Sequence, residues 1–333
     1  MYYRQDASGI KPQEDLRNNQ LGRDDPADYR PDPGLVDAVN VALVLNKPLL
    51  LTGDPGTGKT QLAFSVAWQL ANTGQLNVSS PRVERFEAKS TSVARDLFYS
   101  FDTLRRFQAA YAGGSANNID YVTYNALGTA LLKALPPERV AGLLPPDFRH
   151  DKPTRSVVLI DEIDKAPRDF PNDLLNEIEQ MFFRVPELDN LRVGGSDMLS
   201  DDYRPIVVIS SNSEKNLPDP FLRRCIYYNI PFPKKTSLHG ILLARLKTLR
   251  EGDLINEALA FFYYLKDNNI ARRKISPAEL IQWLSFMLSR GAKPDEHLKA
   301  ASSLAQAGMS ALIKDPEDQE RIRKEFDTFI NRG

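Results

Sequence analysis

Five short apolar runs punctuate the first 230 residues: "PLLL" from Pro48, "VERFEA" from Val83, "SVVLID" from Ser156, "PIVVIS" from Pro205 and "CIYYNI" from Cys225. Runs such as VVLI and IVVI lack the alternation of a half-exposed strand, so they predict strands covered on both faces, as in a parallel sheet between helices. Parallel neighbours need long crossovers, and helical patterns fill the intervals. "GLVDAVNVALVL" holds Leu35, Val36, Val39, Val41, Ala42 and Val44, which predicts a largely buried helix. "NDLLNEIEQMFF" repeats apolar residues at Leu174, Leu175, Ile178, Met181 and Phe182, the spacing of one helical face. After "PFPKKT" only helical patterns remain. "SPAELIQWLSFML" begins with Ser276 as N-cap, Pro277 at the first helical position and Glu279 placed to close a capping box, and "DPEDQERIRKEFDTFI" starts similarly at Asp315 and Pro316.

These patterns divide the chain into a polar arm over residues 1–30, an α/β body over 31–235 and a helical piece over 236–333. "AGGSANN" from Ala112 and "GGSDMLSDD" from Gly194 read as exposed loops. "ALPPERVAGLLPPDFRHDKPT", with five prolines, reads as an irregular insertion before the third strand.

Composition narrows the function classes. A chain of 333 residues with 42% apolar content can bury a real core. Its formal net charge of -1 gives no general attraction for nucleic acid or an anionic membrane. The single cysteine, Cys225, excludes a disulfide within the chain, and His150, His239 and His297 lack a metal-ligand spacing. No stretch approaches the roughly 18 uncharged apolar residues that span a bilayer, so the expectation is a soluble, cytoplasmic protein.

The chemistry starts in "GDPGTGKT", where Gly53, Asp54, Pro55, Gly56, Thr57, Gly58, Lys59 and Thr60 follow a strand and open a helix. The G-x-x-x-x-G-K-T spacing frees the backbone to wrap phosphates with its N–H groups, at the positive end of the following helix. Lys59 then suits the β- and γ-phosphates of ATP, and the Thr60 hydroxyl suits Mg²⁺. About a hundred residues on, Asp161 and Glu162 stand at the end of an apolar strand, where open α/β sheets bind ligands. Asp161 suits the metal's shell and Glu162 the polarising of an attacking water. Asn212 ends the next strand with an amide that can donate to a γ-phosphate and accept from that water. Arg223 and Arg224 then precede the fifth strand, a poor choice for core packing.

In this order the elements resemble the AAA+ ATPases, with Walker A at GDPGTGKT, Walker B at VVLIDE, sensor 1 at Asn212 and an arginine-finger region at FLRRC. The likeness extends to the MoxR-like branch through "DEIDKAPRDFPNDLLNEIEQ", the hairpin-like "FFRVPEL" and the compact helical C-terminal region. The resemblance implies an AAA+ P-loop three-layer α/β sandwich with a five-stranded parallel sheet, plus a C-terminal all-helical lid. It also implies ATP and Mg²⁺ as ligands and a homo-oligomeric ring, commonly a hexamer, in which Arg223 or Arg224 reaches the neighbouring subunit's γ-phosphate. The function implied is ATP-driven, chaperone-like remodelling, with a von Willebrand factor A-domain protein as partner. The alternatives are a nucleotide-controlled scaffold or switch in a signalling or defence assembly and, less favoured, a nucleic-acid motor or loader.

Two departures from the family pattern stand out. Ser276-Pro277 is followed by Ala278 where the branch often carries a sensor 2 arginine, which leaves Arg273 or Lys274 as substitutes. In "DLFYSFDTL", Phe98-Tyr99 is followed by Ser100 rather than the glycine of a threading pore loop.

Overall fold

The computed structural model describes residues 1–6, 25–112, 117–145, 148–212, 217–246 and 248–331. The described residues group into two compact units. The first holds 1–6, Pro31–Gly53 and Lys59–Ile230; the second holds 25–30, Asp54–Gly58 and the chain from Pro231 onward.

In the first unit α1 (Pro33–Leu45) precedes β1 (Leu49–Thr52), and α2 (Lys59–Thr73) precedes β2 (Val83–Glu87). Next comes a hairpin of β3 (Tyr99–Phe101) and β4 (Val122–Tyr124), with α3 (Thr103–Tyr111) between its strands. The chain continues through α4 (Ala126–Ala134), α5 (Pro137–Val140), β5 (Val157–Asp161), α6 (Phe170–Asp173) and α7 (Leu175–Gln180). A second hairpin, β6 (Phe182–Val185) with β7 (Leu191–Gly194), leads to β8 (Ile206–Ser210), α8 (Asp219–Leu222) and β9 (Ile226–Asn229).

The five apolar runs form one parallel sheet in the order β2, β5, β8, β1, β9. Every residue of β1, β5 and β8 is buried, as their unbroken apolar sequences require. Pairing of Ile160 with Ile209 brings Asp161 and Ser210 level at the carboxyl ends of β5 and β8.

Three local readings of the sequence are revised. The helix expected over 172–183 breaks at Leu174 and stops at Gln180, because Met181 turns left-handed at φ 51° and Phe182 enters β6. In α1, Leu35, Val36, Val39, Ala42 and Leu43 are buried, whereas Val41, Val44 and Leu45 face outward. The stretch 194–202 is not wholly exposed, since Gly194, Gly195 and Leu199 are buried and Gly195 N donates to Met181 O at 2.8 Å. The "AGGSANN" loop lies mostly outside the described residues, as does much of the polar arm. Of that arm, Tyr3 is fully buried and its hydroxyl donates to Ser65 Oγ at 2.9 Å.

The second unit comprises α9 (Lys235–Arg245), α10 (Asp253–Asp267), α11 (Pro277–Ser289), α12 (Ser302–Ala307), α13 (Met309–Leu312) and α14 (Pro316–Ile330). Its core centres on Phe261, Trp283 and Phe326, and the Trp283 indole N–H donates to Ala305 O at 2.9 Å. The caps are those the sequence predicts. Ser276 Oγ accepts from Glu279 N while the Glu279 carboxylate accepts from Ser276 N, and Asp315 accepts from Asp318 N. Among the described residues no helix is long and apolar enough to cross a membrane.

Candidate active site

The turn from β1 into α2 depends on its glycines. Gly53, Gly56 and Gly58 have φ of 138°, 74° and 89°, a region that other residues enter only under strain. A Cβ on Gly56 would stand 2.8 Å from the Ser276 side chain, so glycine is also required there by space. Lys59 opens α2, is 7% exposed and donates from Nζ to Gly53 O at 2.8 Å. A lysine ammonium is thus folded back over the loop at a helix N-terminus, an arrangement suited to polyphosphate.

Thr60, one residue on, donates from Oγ1 to Asp161 Oδ1 at 3.0 Å. Asp161 is 3% exposed and has two further donors: Ser210 Oγ at 2.5 Å and the Arg85 guanidinium at 2.7 Å. A buried carboxylate would be costly alone, and three donors offset that cost. The adjacent Thr60 hydroxyl and Asp161 carboxylate are hard oxygen donors and fit magnesium, which takes one or two protein oxygens beside those of a bound phosphate.

Glu162 leaves the strand in a left-handed conformation, φ 56° and ψ 49°, unusual for a residue with a side chain. Its N–H donates to Ser210 Oγ at 2.9 Å, so one serine hydroxyl ties both acids to β8. The Glu162 carboxylate accepts from Asn212 Nδ2 at 3.2 Å and from Lys165 Nζ at 2.5 Å. Asn212 N in turn donates to the buried Asp164, a residue to which the sequence assigns no chemistry. Asp161, Glu162, Thr60 and Asn212, separated by up to 152 positions (212 − 60), therefore form one connected cluster. Ser210, Arg85 and Lys165 belong to it as well and are missed by the motif reading. A serine ending an otherwise apolar run next to the Asp161 strand is the only signal for Ser210.

The two arginines separate by environment. Arg224 is held, donating from Nε to Glu179 Oε2 at 2.8 Å and from Nη1 to Pro220 O at 3.1 Å. Arg223 is exposed, and its side chain has no hydrogen bond or ion pair among the described residues. Burial pushes the thiol of the neighbouring Cys225 up to about 12, which disfavours its thiolate. In the second unit Arg273 is exposed, while Lys274 Nζ lies 3.3 Å from Asp54 Oδ1. Of the two sensor 2 candidates it is Lys274 that meets the loop.

Residues 49–233 match the model of the ATPase family associated with various cellular activities (AAA). The chain belongs to the AAA family. Its activity is that of an ATPase, and the five-stranded parallel sheet with its helices is the P-loop α/β fold. Solved structures similar to this AAA ATPase include Caenorhabditis elegans PCH-2, at 15% identity and TM-score 0.42, covering 90% of this chain and 72% of that one. Another is the Thermotoga maritima RuvB Holliday junction branch migration motor, at 13% identity and TM-score 0.41, covering 86% and 69%. No curated protein matches the chain significantly.

Proposed function

We propose that this AAA ATPase works as a homo-oligomeric, hexameric ring in which ATP hydrolysis drives chaperone-like remodelling of a partner protein in the manner of the MoxR-like branch. The observation that carries the catalytic part is the cluster joining Thr60, Asp161, Ser210, Glu162 and Asn212. The backbone N–H groups of Gly53 to Lys59 and the Lys59 ammonium bind the phosphates, with Asp54, Pro55, Gly56, Thr57 and Gly58 shaping the cradle. Thr60 and Asp161 would hold magnesium, which when bound withdraws charge from the phosphate oxygens. Glu162 accepts a proton from the water that attacks the γ-phosphorus. Asn212 already donates to Glu162, so the amide that senses the γ-phosphate is coupled to the base that acts on it.

Arg223 is the finger. Its charge has no partner among the described residues, and a planar guanidinium matches phosphate oxygens on an adjoining copy. Arg224, tied to Glu179 and Pro220 O, is a positioning residue that fixes the turn. Lys274 rather than Arg273 serves near the loop. The von Willebrand factor A-domain partner rests on the MoxR resemblance.

A nucleotide-controlled switch is favoured by one observation. Both acids are held by cations of the chain itself, Asp161 by Arg85 and Glu162 by Lys165, a latched arrangement that ligand binding would have to release. The catalytic assignment is tested by Glu162→Gln, which should keep ATP affinity while abolishing turnover. Normal hydrolysis in that variant removes Glu162 from its role.

A further inference from the structure

A helix that is apolar on all sides is ordinarily enclosed. α1 is enclosed on one side only: Val41, Val44 and Leu45 are 44%, 65% and 55% exposed, in line with the exposed Asp37. α3 departs further, burying none of its residues and turning out Leu104, Phe107 and Tyr111, which are 69%, 61% and 92% exposed. Their three-and-four spacing makes one stripe. Large apolar side chains standing together mark an interaction surface.

The two stripes lie toward opposite edges of the sheet. α1 packs on β9 and β1, whereas the hairpin bearing α3 is held by the turn at Ala94–Leu97 and by α4, which packs on β2. We propose that the α3 stripe of one copy docks on the α1 stripe of the next. This rests on the ring reading and supplies it with a contact separate from Arg223.

Size and charge both fit a second copy. At 1.5 Å per residue the α3 stripe spans about 10 Å and the α1 stripe, from Asp37, about 12 Å. Asp37 has no ion-pair partner among the described residues. Arg105, on the flank of the α3 stripe, has no carboxylate either and rests over the Tyr121 ring. The two unpaired charges are opposite in sign and sit on the two surfaces. Unlike patches on opposite sides of one chain give a head-to-tail contact, which repeats around a ring.

The test is assembly followed by sedimentation with a non-hydrolysable ATP analogue, using surface variants whose folding is checked by circular dichroism. Wild type should form oligomers, while Val44→Glu alone and Phe107→Glu alone should remain monomeric. An equal mixture of the two should stop at dimers, because each variant supplies one intact stripe. Asp37→Arg or Arg105→Glu should each raise the half-assembly concentration about fivefold, and the double reversal should restore it. Assembly of either apolar-site variant like wild type, or a mixture that stays monomeric, overturns this contact alone. A wild type that never assembles overturns the ring reading with it.

Discussion

The guanidinium of Arg85 lies 2.7 Å from the carboxylate of Asp161, so the chain supplies its own cation to the acid that would share a metal. On the proposed reading, Arg85 and magnesium would compete for the same charge. Arg85→Ala should therefore tighten magnesium binding, read by titrating the metal at fixed fluorescent ATP analogue, and should lower nucleotide-free stability by about 1–3 kcal/mol. Unchanged or weaker magnesium affinity would remove Arg85 from this competition.

Adjacent arginines with different surroundings should give different phenotypes. Arg223→Ala is expected to cut turnover by about 10³ to 10⁵ while leaving unfolding temperature unchanged, since its side chain makes no hydrogen bond or ion pair among the described residues. Arg224→Ala loses the Glu179 pair and the Pro220 contact, so its smaller drop in turnover should come with a measurable loss of stability. Equal rates for Arg223→Ala and wild type would refute the finger assignment.

Gly128 offers a case where helix propensity points the wrong way. Alanine in a helix interior is ordinarily favoured over glycine by about 1 kcal/mol. A Cβ at Gly128, however, would stand 1.9 Å from Phe98 O, which accepts the Asn125 N–H at 2.8 Å. α4 and the residue leading into β3 approach through that glycine. Gly128→Ala should destabilise the protein by about 1–3 kcal/mol, seen in chemical denaturation. A neutral or stabilising effect would show that this approach is not held in solution.

The sheet was legible because its central strands β1, β5 and β8 are buried on both faces, which leaves uninterrupted apolar runs such as Val157–Ile160. The loop from Gly53 to Thr60 was legible because its chemistry is local. Ser276 and Glu279 announced α11 for the same reason. Less could be read where function depends on register between distant strands. Nothing near Arg85 or Ser210 says that they converge on Asp161; the pairings of β2 and β8 with β5 bring them there. The hairpin of β3 and β4 escaped notice because three-residue strands are too short to show a period. Phe98 and Tyr99, at the pore-loop position, are buried, and it is Phe107 and Tyr111 of the neighbouring α3 that are exposed. α1 misled because an apolar pattern does not say which of its faces the chain itself will cover.

A site shared between copies is the central claim, and its most direct test is ATP turnover per chain as protein concentration rises from well below micromolar, with mass followed in the same samples. Turnover per chain should climb as oligomers appear and level off when assembly is complete. A full rate from monomers would contradict it.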